Sequence, residues 1–175
     1  STTHYLIKLT DKAFKSTDIG NATTAITIDY SKAFDLVDHN ILIQKLIELG
    51  VRGCVLKLII SFLKNRSHCT KIAGSRSEYV NVTCGVPQGT VSGPKLFVIL
   101  INGTKCEFVF NYKFMDDKTI ALPYSGNPNS LLTKALKIEE EAAAKDKMVI
   151  NGSKCHSITF NFSSHNVPQQ NLTLL

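Results

Sequence analysis

The chain has 175 residues, 43% hydrophobic and 8% aromatic, with a formal charge of +6 and a pI near 9.1. Length and composition fit one domain able to bury a core, and the positive charge favours a polyanionic partner, although the basic residues are spread along the chain rather than clustered. No run reaches the ~18 apolar residues of a membrane-spanning helix, no apolar leader opens the chain, and five cysteines without a Cys-x-x-Cys pair argue against zinc and for free thiols.

Thr23-Thr24-Ala25-Ile26-Thr27-Ile28-Asp29 is a β-branched run, which predicts a strand that delivers the Asp29 carboxylate at the rim of a sheet. Taken alone, Asp29 serves equally well as a cap or turn residue after a strand. Asp38 is placed to cap a helix running to Leu49, with Ile41, Leu42, Lys45, Leu46 and Leu49 at helical spacing and Gly50 as its stop. A second helix is expected over Cys54 to Lys64, with Val55, Leu58, Ile59 and Phe62 on a core-facing side.

Arg66, His68, Lys71 and Arg76 follow, interleaved with β-like stretches at Cys69 to Ala73 and Glu78 to Thr83. Such a ribbon either lies along a nucleic-acid backbone, where cations displace counterions, or forms a solvated edge that discourages strand pairing. Next comes Gly85-Val86-Pro87-Gln88-Gly89-Thr90-Val91-Ser92-Gly93-Pro94, leading directly into an apolar helix from Lys95. Gly89 and Gly93 permit close backbone approach to a ligand, and Pro94 suits the first helical turn, so the junction reads either as a ligand loop or as an ordinary turn before a buried helix.

Two β-patterned runs, Val109 to Phe114 and Lys118 to Leu122, flank Met115-Asp116-Asp117. Adjacent carboxylates repel, and a folded chain holds them together most readily where a multivalent cation neutralises them; alone, the pair also fits a solvated turn. Beyond the hairpin, Ser130 is placed to cap a helix that continues to Lys147. A turn at Asn151-Gly152 and a strand from His156 to Phe162 follow, and the tail from Asn166 reads as a frayed end.

The order of these motifs resembles the reverse transcriptase palm of non-LTR (LINE-type) retrotransposons. The matching stretches are Asp29-Tyr30-Ser31-Lys32-Ala33-Phe34-Asp35, His39-Asn40-Ile41-Leu42-Ile43-Gln44-Lys45-Leu46, Ser61-Phe62-Leu63-Lys64-Asn65-Arg66, Gly85 to Thr90, Gly93 to Phe97 and Phe114-Met115-Asp116-Asp117. The resemblance implies an α+β polymerase palm, a ferredoxin-like or RRM-like antiparallel sheet with helices packed on one face, here with fingers and thumb largely missing. Residues 1–122 are then the palm core with residual fingers, and 123–175 the closing helix, strand and tail.

The activity it implies is RNA-directed DNA polymerisation: two-metal nucleotidyl transfer from a dNTP to a DNA primer 3′-hydroxyl on an RNA template. Asp29, Asp116 and Asp117 would be catalytic and hold Mg²⁺, with Mn²⁺ as a substitute and the Tyr30 carbonyl as a further ligand. Phe34 would exclude a 2′-hydroxyl, although it also fits as a core aromatic. Gln88 and Gly89 would contact the nucleotide, and Lys154 of the Asn151-x-x-Lys154 pattern is either a proton donor to pyrophosphate or a plain surface lysine. The resemblance further implies part of a longer polyprotein with an endonuclease, no membrane association, and a place inside the cell, in cytoplasm and nucleus.

The chain departs from the family in lacking tryptophan, in carrying Asn102-Gly103-Thr104 in place of a typical Asn-Asp-Leu, and in placing Lys118 after the acid pair. The Lys118 ammonium either pairs with Asp117 in competition with a metal or points away. These departures, with the missing fingers, support an alternative: a truncated or decayed relic that still binds nucleic acid without chemistry. A nuclease or Ca²⁺ site leaves the Pro-Gln-Gly loop unexplained, and the isolated chain is expected to polymerise poorly or not at all.

Overall fold

In chain order the elements are α1 (Thr2–Asp18), β1 (Ala22–Ile28), α2 (His39–Glu48), α3 (Gly53–Leu63), β2 (Arg66–His68), β3 (Lys71–Ile72), β4 (Ser75–Arg76), β5 (Val80–Val82), α4 (Ser92–Leu100), β6 (Phe110–Phe114), β7 (Asp117–Tyr124), α5 (Asn129–Lys145) and β8 (His156–Phe160). The computed structural model describes residues 2–103, 106, 108–114 and 117–162. They divide into two units, one made of the chain before Lys32 and after Ile101, the other of Lys32–Ile101.

The first unit is built on an antiparallel four-stranded sheet of order β6-β7-β1-β8. β1 lies in the middle, paired along its whole length with β7, from Ala22 opposite Tyr124 to Ile28 opposite Lys118. It also pairs with β8, where Ala25 faces Ile158. With β6-β7 as a hairpin and α5 crossing between β7 and β8, this is the ferredoxin-like α+β palm sheet.

Because β1 is apolar or threonine throughout, it is buried on both faces, with Thr27 as its exposed position. Alternation puts Ile26, Ile28, Ile120 and Leu122 on one face, and there α5 lays down its buried stripe of Leu132, Ala135, Leu136, Glu139 and Ala143. Each isoleucine removed from water there contributes about 1.5–3 kcal/mol. The opposite face is covered by α1, which the sequence reading did not include as a helix. Leu9, Ala13 and Ser16 are buried at helical spacing, and Leu9 joins Ala25 and Ala121 in a cluster with Tyr5, Tyr112 and Phe160 packed against it. Tyr5 meets Tyr112 edge to face, with ring centroids 5.7 Å apart. To the helical layer expected on one face, the fold thus adds a second on the other, because a strand without a polar side needs cover twice.

In the second unit α2 forms as its caps require. The Asp38 carboxylate accepts hydrogen bonds from Asn40 N at 2.9 Å and Ile41 N at 3.1 Å, and Gly50, at φ 88°, closes the helix. α3 departs from expectation. Its buried residue is Leu63; of the expected face Ile59 and Phe62 are partly buried, as are Leu56 and Ile60, while Val55 and Leu58 are 58% and 70% exposed and leave an apolar strip outward. The expected ribbons are present but short: β2 pairs with β5, and β3 with β4. α4 starts two residues before Pro94, which still falls in its first turn, where no N–H is needed. α5 starts at Asn129, ahead of the expected cap Ser130: its N-cap is Pro128, which offers no side-chain bond, and Asn129 N donates to Asn127 Oδ1 at 3.0 Å.

Gly85 fixes how the chain after Asp29 meets the Pro-Gln-Gly loop. Its φ is +84°, and a Cβ there would lie 2.8 Å from the Asp35 carbonyl oxygen and 3.0 Å from that of Phe34. Gly85→Ala is expected to destabilise the protein by about 1–3 kcal/mol, the cost of a strained backbone residue, with a lower urea midpoint at unchanged m-value as the check.

Candidate active site

β1 and β7 run antiparallel with Ile28 opposite Lys118, so the next residue on each side of that pair is an aspartate, Asp29 at the exit of β1 and Asp117 at the entry of β7. Alternation turns Lys118 to the α5 face and Asp117 to the face that carries Thr119 and Thr27. A cavity of about 350 Å³ opens there, lined by Asp29, Asp117, Tyr5, Thr27, Thr119, Lys154 and His156. Asp116 lies outside the described residues, and among the described residues no three His, Cys, Asp or Glu form a metal-binding cluster.

Asp29 is held by its backbone. Its carbonyl accepts from Asn151 N at 2.9 Å, and its own N–H donates to Cys155 Sγ at 3.4 Å. The Cys155 thiol in turn donates to the Asn151 carbonyl at 3.3 Å. Lys154 closes the same turn, with its N–H on the Asn151 carbonyl and its ammonium 3.8 Å from Asp29 Oδ2. The Asn-x-x-Lys segment is therefore a clamp on Asp29, a role that the residue types alone did not reveal.

The Asp29 side chain is about a third exposed, yet its Oδ2 is buried and has no hydrogen-bond partner. A buried carboxylate oxygen without a hydrogen bond is costly, and its ion pair with Lys154 at 3.8 Å is too long to supply one. An oxygen of this kind, with a second carboxylate lining the same cavity, suits a hard divalent cation, so the residues present fit the expected metal.

Tyr30 is buried and bridges Ile150, framed by the hydrogen bonds of Asp29 and Ser31 with Asn151 and Val149. Burial, and after it the negative charges of Glu139 and Asp146, hold its phenol well above the ordinary tyrosine range. Lys118 is fully buried and ion-paired with Glu139 of α5, so of the two alternatives for this residue the ammonium points away from the acids.

The remaining expected residues lie in the second unit. Phe34 stacks at a tilt on Phe97, with ring centroids 5.1 Å apart, and is partly buried. Gln88 Nε2 donates to Asp35 Oδ1 at 3.0 Å on the surface. Asp35, Arg66, His68, Gly85 and Gln88 line a second cavity, of about 390 Å³. The two glycines of the loop have different local reasons for being glycine. Gly89 has φ +74° with open space where a Cβ would stand, so its backbone angle demands glycine, whereas a Cβ on Gly93 would sit 2.5 Å from the Pro87 carbonyl oxygen, a close approach within the loop itself. Arg66 serves the loop too, donating to the carbonyls of Leu63 and Gly85 at 3.1 Å each, while His68, Lys71 and Arg76 of the ribbons remain exposed.

A sheet of this order with carboxylates at the rim defines the palm class of nucleic-acid polymerases. Comparison with known proteins agrees. A profile of the family described as reverse transcriptase (RNA-dependent DNA polymerase) matches residues 3–173, and the chain belongs to that family. It is 28% identical over 152 residues to the RNA-directed DNA polymerase from mobile element jockey of Drosophila funebris, covering 81% of this chain and 16% of that protein. To the probable RNA-directed DNA polymerase from transposon BS of Drosophila melanogaster it is 29% identical over 136 residues, 73% of this chain and 15% of the relative. The chain thus spans about a sixth of these relatives, both mobile-element polymerases. Among solved structures, telomerase from Candida albicans in complex with a fragment of telomeric RNA superposes with a TM-score of 0.65 at 15% identity, over 90% of this chain and 31% of that one. The apo telomerase from Candida tropicalis, truncated from its C-terminal domain, gives 0.62 at 13%, over 91% and 36%.

Burial raises the Cys155 thiol above its ordinary range, with the Asp29 carboxylate adding to the shift and the Asp29 N–H opposing it, so at a given pH less of it is the reactive thiolate. Iodoacetamide at pH 8 is expected to modify the exposed Cys54 and Cys84 well before Cys155, as peptide mass spectrometry would follow.

Proposed function

We propose that this chain is the palm of an RNA-directed DNA polymerase of the LINE type, extending a DNA primer with dNTPs on an RNA template. Family membership supports the reading, and one observation carries it: Asp29 and Asp117 line the same cavity from adjacent antiparallel strands, with a buried carboxylate oxygen of Asp29 that has no hydrogen bond and faces Lys154 at 3.8 Å.

In this reading Asp29, Asp116 and Asp117, with the Tyr30 carbonyl, hold the divalent ions on which reverse transcriptases generally depend. Bound there, two Mg²⁺ ions, or Mn²⁺ in their place, supply activation of the primer 3′-hydroxyl and neutralisation of charge on the departing pyrophosphate. The chain's own contribution is positioning. The clamp from Asn151 and Cys155 fixes Asp29, and β-sheet register fixes Asp117, so neither acid must be ordered when substrate arrives. Phe34, backed by Phe97, excludes a 2′-hydroxyl; Gln88 and Gly89 contact the incoming nucleotide; Lys154, whose side chain is largely exposed, donates a proton to pyrophosphate. The partners are then RNA, DNA primer and dNTP, inside the cell, within a longer polyprotein that carries an endonuclease. Lys118 no longer favours the relic, because its ammonium is neutralised by Glu139.

Titration with Mn²⁺ is expected to raise the melting temperature, by an amount equivalent to about 2.7 kcal/mol at a hundredfold excess over Kd, and Asp29→Asn or Asp117→Asn should remove that shift. A wild-type protein whose melting is indifferent to Mn²⁺ and Mg²⁺, yet which binds RNA with steep salt dependence, would instead establish the non-catalytic binder.

A further inference from the structure

Two ionisable side chains are buried where the sequence pattern calls for apolar ones. Glu139, 1% exposed, falls on the α5 stripe of Leu132, Ala135, Leu136 and Ala143, and Lys118, with no exposed surface, falls between Ile28 and Ile120 on the facing sheet. They pair with each other, Lys118 Nζ on Glu139 Oε2. Lys118 borders the acid cavity, but alternation turns its side chain to the sheet face opposite Asp117, where it meets Glu139.

We infer that the Lys118–Glu139 pair is a positioning device for the acid-bearing rim, setting the β7 register against α5 so that Asp117 falls beside Asp29. This rests on the polymerase reading for what Asp117 does. A two-residue slip of β7 would set Ile120 against the Glu139 carboxylate and carry the Lys118 ammonium beyond its partner. Each charge would then be buried alone, so only one register satisfies both. An all-apolar strand would tolerate the slip far better, and the adjacent Asp117 would move with it. A buried ion pair is weak support for stability, and directional specificity is the role such pairs serve best.

The test compares wild type with the double variant Lys118→Met plus Glu139→Leu, which removes both charges and avoids the unpaired Glu139 that Lys118→Met alone would leave. Melting temperature reports the fold, amide hydrogen exchange along β7 reports its register, and Mn²⁺ electron paramagnetic resonance reports metal affinity. The expected result is a folded protein, melting at or above the wild-type temperature, with faster exchange in β7 and Mn²⁺ bound at least tenfold more weakly. A folded double variant with wild-type Mn²⁺ affinity and exchange overturns the inference. So does a double variant that does not fold, since the pair then maintains the fold itself. Wild type that binds no Mn²⁺ overturns the polymerase reading, and this inference with it.

Discussion

The pairing of β1 with β7 is the constraint from which the rest follows. Seven residues of β1 are matched in sequence by seven of β7, ending at Ile28 and Lys118. Because side chains alternate along a strand, that single register sends Asp117 toward the cavity and Lys118 beneath the sheet. Asp29 and Asp117 are 88 residues apart in the chain, and only the sheet makes them neighbours. Local helices and turns can then vary in quality without displacing the acids.

Around this register the two halves of the acid site are held by different means. Asp117 is fixed by the β6-β7 hairpin, whose Phe114 and Asp117 are themselves paired. Asp29 stands beyond the last paired residue of β1, and there a three-residue 3₁₀ turn, Gly152–Lys154, takes over, supplying Asn151 before it and Cys155 after it as hydrogen-bond partners. The carboxylate oxygen left without a hydrogen bond in this framework is the kind of local cost that proteins retain where function requires it.

Much of this was legible in the residues because the signals were local. The β-branched run before Asp29, the Asp38 cap with Gly50 as stop, and the two β-patterned arms around the acid pair all formed where periodicity placed them. What escaped depended on partners distant in sequence. The α1 spacing of Tyr5, Leu9, Ala13 and Ser16 was readable, but its need arises only because β1 is buried on both faces. The outward face of α3 could not be told from an inward one by apolar periodicity, which marks a stripe without saying what lies against it. Glu139 stands in plain view among apolar stripe positions, but its partner Lys118 is 21 residues away in sequence, beside the acid pair. A charged residue at a core position calls for its counterpart on the facing element.

The Pro-Gln-Gly loop shows how a single carbonyl can stiffen a segment. Gly85 O receives His39 Nε2 at 2.7 Å from α2 and Arg66 Nη2 at 3.1 Å from the start of β2. A carbonyl can only accept, so His39 must carry its hydrogen on Nε2, which settles the tautomer of the neutral ring. Two donors from separate elements thus converge on one oxygen, pinning a helix and a ribbon to the loop at a single atom.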